Sequence, residues 1–196
     1  MQLVLASASP RRREILSALG IDFVAVEPDV EEVREGRPED VVLENARRKA
    51  RAGFADSSAH AVVMGADTEV VMEARVLGKP SGESEARELL EALSGRTHTV
   101  LTGVVLLGPR SRCGEVAEHS GVARSEVTFR ELDPATLEIY IRSREWRGRA
   151  GAYAIQGLGS ILIERLEGDF SNVVGLPVPL LIELAPELFG LGQTST

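Results

Sequence analysis

The chain has 196 residues, enough for one good-sized core, and 43% of them are hydrophobic, so that core can be buried. Lys and Arg number 22 against 30 Asp and Glu, a net charge of -8, which argues against a long nucleic acid as partner but leaves room for a small phosphorylated ligand. One cysteine, Cys113, excludes an internal disulfide, and three scattered histidines share no zinc-ligand spacing.

Leu3 to Ala6 reads as a buried strand with no signal-peptide pattern around it. Ser9-Pro10 then starts a helix, Ser at the cap and Pro in the first turn, with Ile15, Leu16 and Leu19 on its apolar side and Gly20 at its end. Phe23 to Val26 is a second strand, and the charged stretch Asp29 to Glu39 a loop. Pro38 to Ala52 is a helix. Ala61 to Met64 is a strand that ends in Gly65-Ala66-Asp67-Thr68, and Val70 to Met72 is a further β-rich run before a turn at Glu73 to Arg75. Ser81 to Leu93 carries Ala86, Leu89, Leu90 and Leu93 at helical spacing, with Gly95 as its stop. Thr97 to Leu107 and Val122 to Leu132 are strands, and Asp133-Pro134 opens a helix to Arg142. Ala152 to Gln156 and Ile161 to Leu166 suggest a strand pair, Pro177 to Leu188 a last helix, and Gly190 to Thr196 a frayed tail. Interleaved strands and helices make the class α/β with a mixed sheet, in one domain spanning 1–196. With no apolar run of membrane-span length, the expected location is the cytoplasm.

Four places point to chemistry. Arg11, Arg12 and Arg13 crowd a helix N-terminus, where positive charge opposes the dipole; a docked phosphate would resolve that conflict through the free N–H groups, the Ser7 or Ser9 hydroxyl and the arginine forks. A capped helix with a solvated basic turn is the plain alternative. Asp67, at the end of an apolar strand, is placed to bind a divalent metal or to activate water, or is an ordinary turn residue. Lys79 is fixed between Gly78 and Pro80, and Lys49 lies on the second helix; either is a phosphate partner or a surface lysine. Gln156, at the end of the small-residue run Ala150 to Gly157, offers a donor and an acceptor to a base edge, or is a satisfied amide. No P-loop, dinucleotide fingerprint or nucleophile elbow is present.

Together these stretches resemble the Maf family. The matching runs are Ala6-Ser7-Ala8-Ser9-Pro10-Arg11-Arg12, Gly65-Ala66-Asp67-Thr68, Leu77-Gly78-Lys79-Pro80, Leu93 to His98, Ala150 to Gly157 and Val174-Gly175-Leu176-Pro177, in family order along nearly the whole chain. The resemblance implies an elongated, two-lobed α/β fold around a central cleft, similar to the inosine triphosphatase group. It implies hydrolysis of dTTP and UTP to the monophosphate and pyrophosphate, with Mg²⁺ or Mn²⁺ as cofactor and a small-molecule nucleotide rather than a polymer or membrane as partner. A homodimer is a family-level expectation. Carried over, Asp67 is the proton acceptor and a metal ligand, assisted by Lys49 and Lys79. Ser9, Arg11, Arg12, Lys49 and Lys79 hold the triphosphate. Arg11, Thr68 and Gln156 set specificity, and Glu31 or Glu32 supplies a second metal ligand. Gly148-Arg149 stands where many relatives carry Asp-Lys, and Ala154 where Gly is common. The alternatives are the same chemistry on 7-methyl-GTP or another modified nucleotide, and a non-catalytic nucleotide-binding regulator of cell division.

Overall fold

The computed structural model describes residues 2–55, 57, 60–110 and 116–191; Cys113 and the last part of the expected frayed tail lie outside them. Seven strands form one mixed sheet in the order β2-β1-β3-β5-β6-β7, with β4 paired to the far end of β3. The strands are β1 (Gln2–Ala6), β2 (Phe23–Val26), β3 (Ala61–Met72), β4 (Arg75–Leu77), β5 (Thr97–Arg110), β6 (Val116–Phe129) and β7 (Ile163–Glu167). The helices are α1 (Pro10–Ala18), α2 (Pro38–Ala55), α3 (Glu83–Leu93), α4 (Pro134–Ser143), α5 (Phe170–Val174) and α6 (Val178–Leu184). None of the helices is long and apolar enough to cross a membrane among the described residues.

β1 runs parallel to β2 and to β3, so each junction needs a crossover, and α1 and α2 supply them. Residues alternate across the sheet. Leu3, Leu5, Val62 and Met64 face α1 and α6, packing with Leu16, Leu176 and Leu181. Val4, Ala6 and Val63 face α2, packing with Ala46, Ala50 and Phe54. Further along the first of these faces, Val70, Val100 and Val127 pack with Leu90 and Leu93 of α3 and Tyr140 and Ile141 of α4. One face of the sheet thus carries two apolar clusters, and the position of Thr68 falls between them.

Several elements differ from the sequence reading. β3 is a single strand of 12 residues, because β1 and β5 pair with the backbone of Gly65 from either side and β5 continues through Asp67 and Thr68. β6 starts at Val116 and stops at Phe129, pairing with β5 through its exposed polar stretch. The expected strand Ala152 to Gln156 is absent. A 3-10 turn occupies Ala150–Ala152, where Gly151 (φ 64) and Ala152 (φ 61) adopt left-handed backbone, and a second occupies Gly157–Leu162. The last helix is shorter than expected: α6 ends at Leu184, and Pro186 opens a separate 3-10 turn. α5 was not anticipated; Asp169 caps it by accepting from Ser171 N and Asn172 N.

Candidate active site

β1 pairs with β3 at Ala61 to Gly65, and β4 pairs with it at Val70 to Met72. Between those stretches the β3 edge is uncovered by either strand, and the segment Ser7 to Ser9 leaves β1 there. Side chains from both faces of β3 can therefore reach one space, Asp67 from the α2 face and Thr68 from the other. That space is a cavity of about 390 Å³, of the size that takes a small molecule. Its polar lining includes Ser7, Ser9, Arg11, Arg12, Glu32, Lys49, Asp67, Thr68, Lys79 and Arg149, and Val70, Val100, Tyr153, Val173 and Val174 give it apolar wall.

Asp67 is 6% exposed and doubly held. Lys49 Nζ lies 2.6 Å from its Oδ1, and Asn45 Nδ2 donates to its Oδ2 at 3.1 Å. Both partners come from α2, which can lie this close to β3 because position 65 is glycine. A Cβ there would stand 2.1 Å from the Ala46 carbonyl oxygen. Lys49 also meets Glu32 Oε1 at 2.6 Å, so one ammonium joins two carboxylates. Burial pushes the Glu32 carboxyl up, but its hydrogen bond to Lys49 and the charges of Lys49 and Lys79 outweigh this and bring it below its ordinary value. Asn45 itself accepts from Val33 N at 2.7 Å and donates to Val33 O at 3.0 Å, which pins the 30–35 loop beside the cavity.

Arg12 is buried, and its fork is largely spoken for. Nε donates to Gly175 O at 2.7 Å, one terminal nitrogen to Ser7 Oγ at 3.0 Å and the other to Thr68 Oγ1 at 3.0 Å. Burial lowers its pKa to about 10, opposed by the charge of Asp67. Thr68 Oγ1 also lies 2.9 Å from Thr102 Oγ1, which donates to Asn172 O at 3.1 Å. The helix cap differs from expectation: Ser9 Oγ makes no capping bond, and the Ser7 hydroxyl instead accepts from Ser9 N at 3.2 Å. The Ser9 hydroxyl and the first-turn N–H groups of α1 thus remain at the cavity for an anion. Burial lowers the Arg11 pKa, and Lys79 makes no ion pair among the described residues.

Ser9, Arg11, Arg12, Lys49, Asp67, Thr68, Lys79 and Glu32 are brought together around one cavity. Glu31 is not. It is exposed, its carbonyl accepts from Arg48, and its side chain borders a separate shallow pocket of the 30–35 loop. Gln156 is exposed in a neighbouring pocket, beyond Arg11 and Arg149, the residues the two pockets share along with Pro10 and Gly148. Ser7, one of the two hydroxyls considered for the phosphate, instead holds Arg12 and Ser9 N, and Asn45 and Glu69 are site residues that the sequence reading did not point to. Glu69 follows Asp67 on the same face of β3; its Oε2 is buried without a hydrogen-bond partner, and burial, then the Asp67 charge, raises its pKa to about 8. Its signal in the sequence was a carboxylate at the position where strand alternation asks for an apolar residue.

Residues 2–188 match the family model described as Maf-like protein. The chain belongs to the Maf family. A dTTP/UTP pyrophosphatase of Bacillus cereus is 44% identical over 186 residues, covering 92% of this chain and 87% of its own length. Another protein of that name, from Thermococcus gammatolerans, is 47% identical over 182 residues, covering 93% and 94%. Among solved structures, the Staphylococcus aureus Ham1 protein aligns with 65% of this chain and 72% of its own, at a TM-score of 0.42 and 17% identity. In this Maf-family chain the residues of the Ser7 to Arg12, Asp67-Thr68 and Lys79 motifs all meet at the gap in the β3 edge.

Proposed function

We propose that the protein hydrolyses nucleoside triphosphates, dTTP and UTP foremost, to the nucleoside monophosphate and pyrophosphate. The observation that carries this reading is the division of one cavity's lining between cationic and apolar side chains, with the Asp67 carboxylate bonded to Lys49. A nucleotide has the same division. Its triphosphate suits Ser9, Arg11, Arg12, Lys49 and Lys79, and its base suits the space among Val70, Val100, Tyr153 and Val173. A pyrimidine with or without a methyl group would meet largely apolar side chains there, which accords with acceptance of both thymine and uracil.

In the reaction, water attacks the α-phosphorus, the bond from that phosphorus to the bridging oxygen breaks, and pyrophosphate leaves. Asp67 takes the proton of the attacking water. A carboxylate has about four lone-pair directions, and Lys49 and Asn45 occupy two, so the group is oriented and still able to accept. Lys49, Lys79, Arg11 and Arg12 offset the charge that grows on the leaving pyrophosphate.

The donor set fits a divalent cation. Asp67 and Glu32 are drawn close together by sharing Lys49, which occupies one oxygen of each, and Glu69 Oε2 lies buried and unpartnered on the same face of the strand as Asp67. Among the described residues no three His, Cys, Asp or Glu side chains form a cage on their own. Mg²⁺ or Mn²⁺ would therefore be held by Asp67 and Glu32 together with phosphate oxygens, the manner usual for Mg²⁺. When bound, it supplies charge to polarise the α-phosphate and orient the leaving group. Thr68 and Arg11 stand where they can influence specificity. Gln156 acts on the nucleotide only if the ligand passes Arg11 and Arg149 into the neighbouring pocket, and Gln156→Ala should then raise KM.

The test is pyrophosphate release from dTTP, UTP, CTP, 7-methyl-GTP and inosine triphosphate, with Mg²⁺, with Mn²⁺ and with chelator. Metal-dependent release from dTTP and UTP above the others supports the proposal. Release from none, by folded protein, moves the reading to a nucleotide-binding regulator.

A further inference from the structure

The base end of the cavity contains one aromatic wall, Tyr153, whose orientation rests on a buried histidine. Tyr153 follows the left-handed turn at Gly151 and Ala152. That turn is locked on two sides: Gly151 N donates to Gly78 O at 3.1 Å, and a Cβ on Gly151 would stand 2.9 Å from Val70 Cγ1. The Tyr153 ring then meets His98 and Phe129 edge-on, at centroid distances of 5.3 and 4.8 Å, and His98 and Phe129 meet each other edge-on at 5.1 Å. The Tyr153 hydroxyl lies 2.8 Å from His98 Nε2, inside the core. The cavity is therefore faced with ring carbon, although the residue carries a phenol.

His98 is an expensive choice for that place. It is 3% exposed, its Nδ1 has no partner among the described residues, and burial lowers its pKa to about 4, so it is neutral at pH 7. An apolar side chain between Phe129 and Tyr153 would carry no orphaned ring nitrogen of its own, but it would leave the buried Tyr153 hydroxyl without a partner. What the histidine supplies, and an apolar residue cannot, is a partner for the tyrosine hydroxyl. We propose that His98 is a positioning residue for base recognition: by tying the Tyr153 hydroxyl into the core it keeps the wall of the base end apolar and stops a phenol from competing for the hydrogen-bonding edge of the pyrimidine. A freed phenol would reach for that edge, and it can donate to a carbonyl or accept from an amino group alike, so it would blur the difference between uracil-like and cytosine-like bases. This inference rests on the placing of the base proposed above.

The experiment compares the wild type with His98→Leu, His98→Asn, Tyr153→Phe and the double variant His98→Leu/Tyr153→Phe, with dTTP and CTP as substrates and circular dichroism as the check of fold. His98→Leu should raise KM for dTTP about tenfold, roughly the worth of one neutral hydrogen bond, with kcat nearly unchanged, and should narrow the preference for dTTP over CTP. His98→Asn, which can still bond the hydroxyl, should recover much of the loss. Tyr153→Phe has no hydroxyl to free, so whatever its KM it should keep the wild-type preference for dTTP over CTP, and the double variant should regain most of the dTTP affinity that His98→Leu loses because no hydroxyl remains to be freed. Should His98→Leu fail to fold, His98→Gln and His98→Met make the same comparison. An unchanged KM in folded His98→Leu, or a double variant no better than the single one, overturns the inference and leaves the function standing. A folded wild type with no turnover on any nucleotide overturns both.

Discussion

Glu69 offers the sharpest physical prediction, because its cost can be worked from its surroundings. Its carboxyl is buried on β3 behind Asp67, with Oε2 unpartnered, and titrates at about 8 rather than 4.5. Below pH 4.5 the group is protonated in both the folded and the unfolded chain. Between 4.5 and 8 the folded chain holds a proton that the unfolded chain has released, so stability falls as pH rises through that window. Each pH unit is worth about 1.4 kcal/mol, which gives a penalty of roughly 3 kcal/mol at pH 7. Glu69→Leu removes the titrating group and the orphaned oxygen while filling the same space. In chelator-treated buffer the variant should be more stable than the wild type at pH 7 by about 2–3 kcal/mol, a rise in Tm of roughly 5–10 °C for a chain of this size. The gap should be small near pH 4.5 and largest near pH 8. Urea unfolding of both proteins at pH 5, 7 and 8 measures it. A gap that does not change with pH, or a variant less stable than the wild type at pH 8, would refute the reasoning.

Three further substitutions probe the site. Asp67→Asn keeps the shape and the Lys49–Glu32 pair, so it should lower kcat by about a thousandfold with Tm nearly unchanged; retained turnover in a continuous pyrophosphate assay would remove Asp67 from its role. Arg12→Lys loses the fork that joins Gly175, Ser7 and Thr68, and should cost roughly 2–3 kcal/mol of stability and raise KM; a variant with wild-type Tm and KM would show that a single charge suffices. Gly65→Ala drives a Cβ against the Ala46 carbonyl and the Ala50 amide of α2, neither of which can rotate away. It should destabilise by about 3 kcal/mol or more and lower kcat by displacing Lys49 and Asn45, a pairing that thermal unfolding and kinetics on one preparation would check.

The sequence made the first half of the site legible because its signals were local. The clash of Arg11 to Arg13 with a helix N-terminus, and the fixed lysine of Gly78-Lys79-Pro80, can be read without knowing what lies opposite. β1, α1 and α3 were likewise visible from buried runs, a capped start and helical spacing. What escaped reading depends on pairing across the sheet. Gly65 to Thr68 reads as a strand end, yet β5 pairs with every residue of it, and the turn-like composition serves the approach of α2 instead. Val70 and Val100 lie in runs that read only as strands, and Val173 in no expected element; with the two apolar clusters parted at Thr68, all three line the cavity. Ala152 to Gln156 has strand composition, but positive φ at Gly151, Ala152 and Gly157 turns the chain, which carries Gln156 to the neighbouring pocket. Glu31 and Glu32 are equivalent in sequence, and only the reach of Lys49 separates them.

The central claim is the bond that breaks, and turnover of dTTP in ¹⁸O-labelled water tests it. Mass spectrometry of the products should find one ¹⁸O in the thymidine monophosphate and none in the pyrophosphate, as attack at the α-phosphorus requires. Label in the pyrophosphate, or release of inorganic phosphate with a nucleoside diphosphate, would contradict the account.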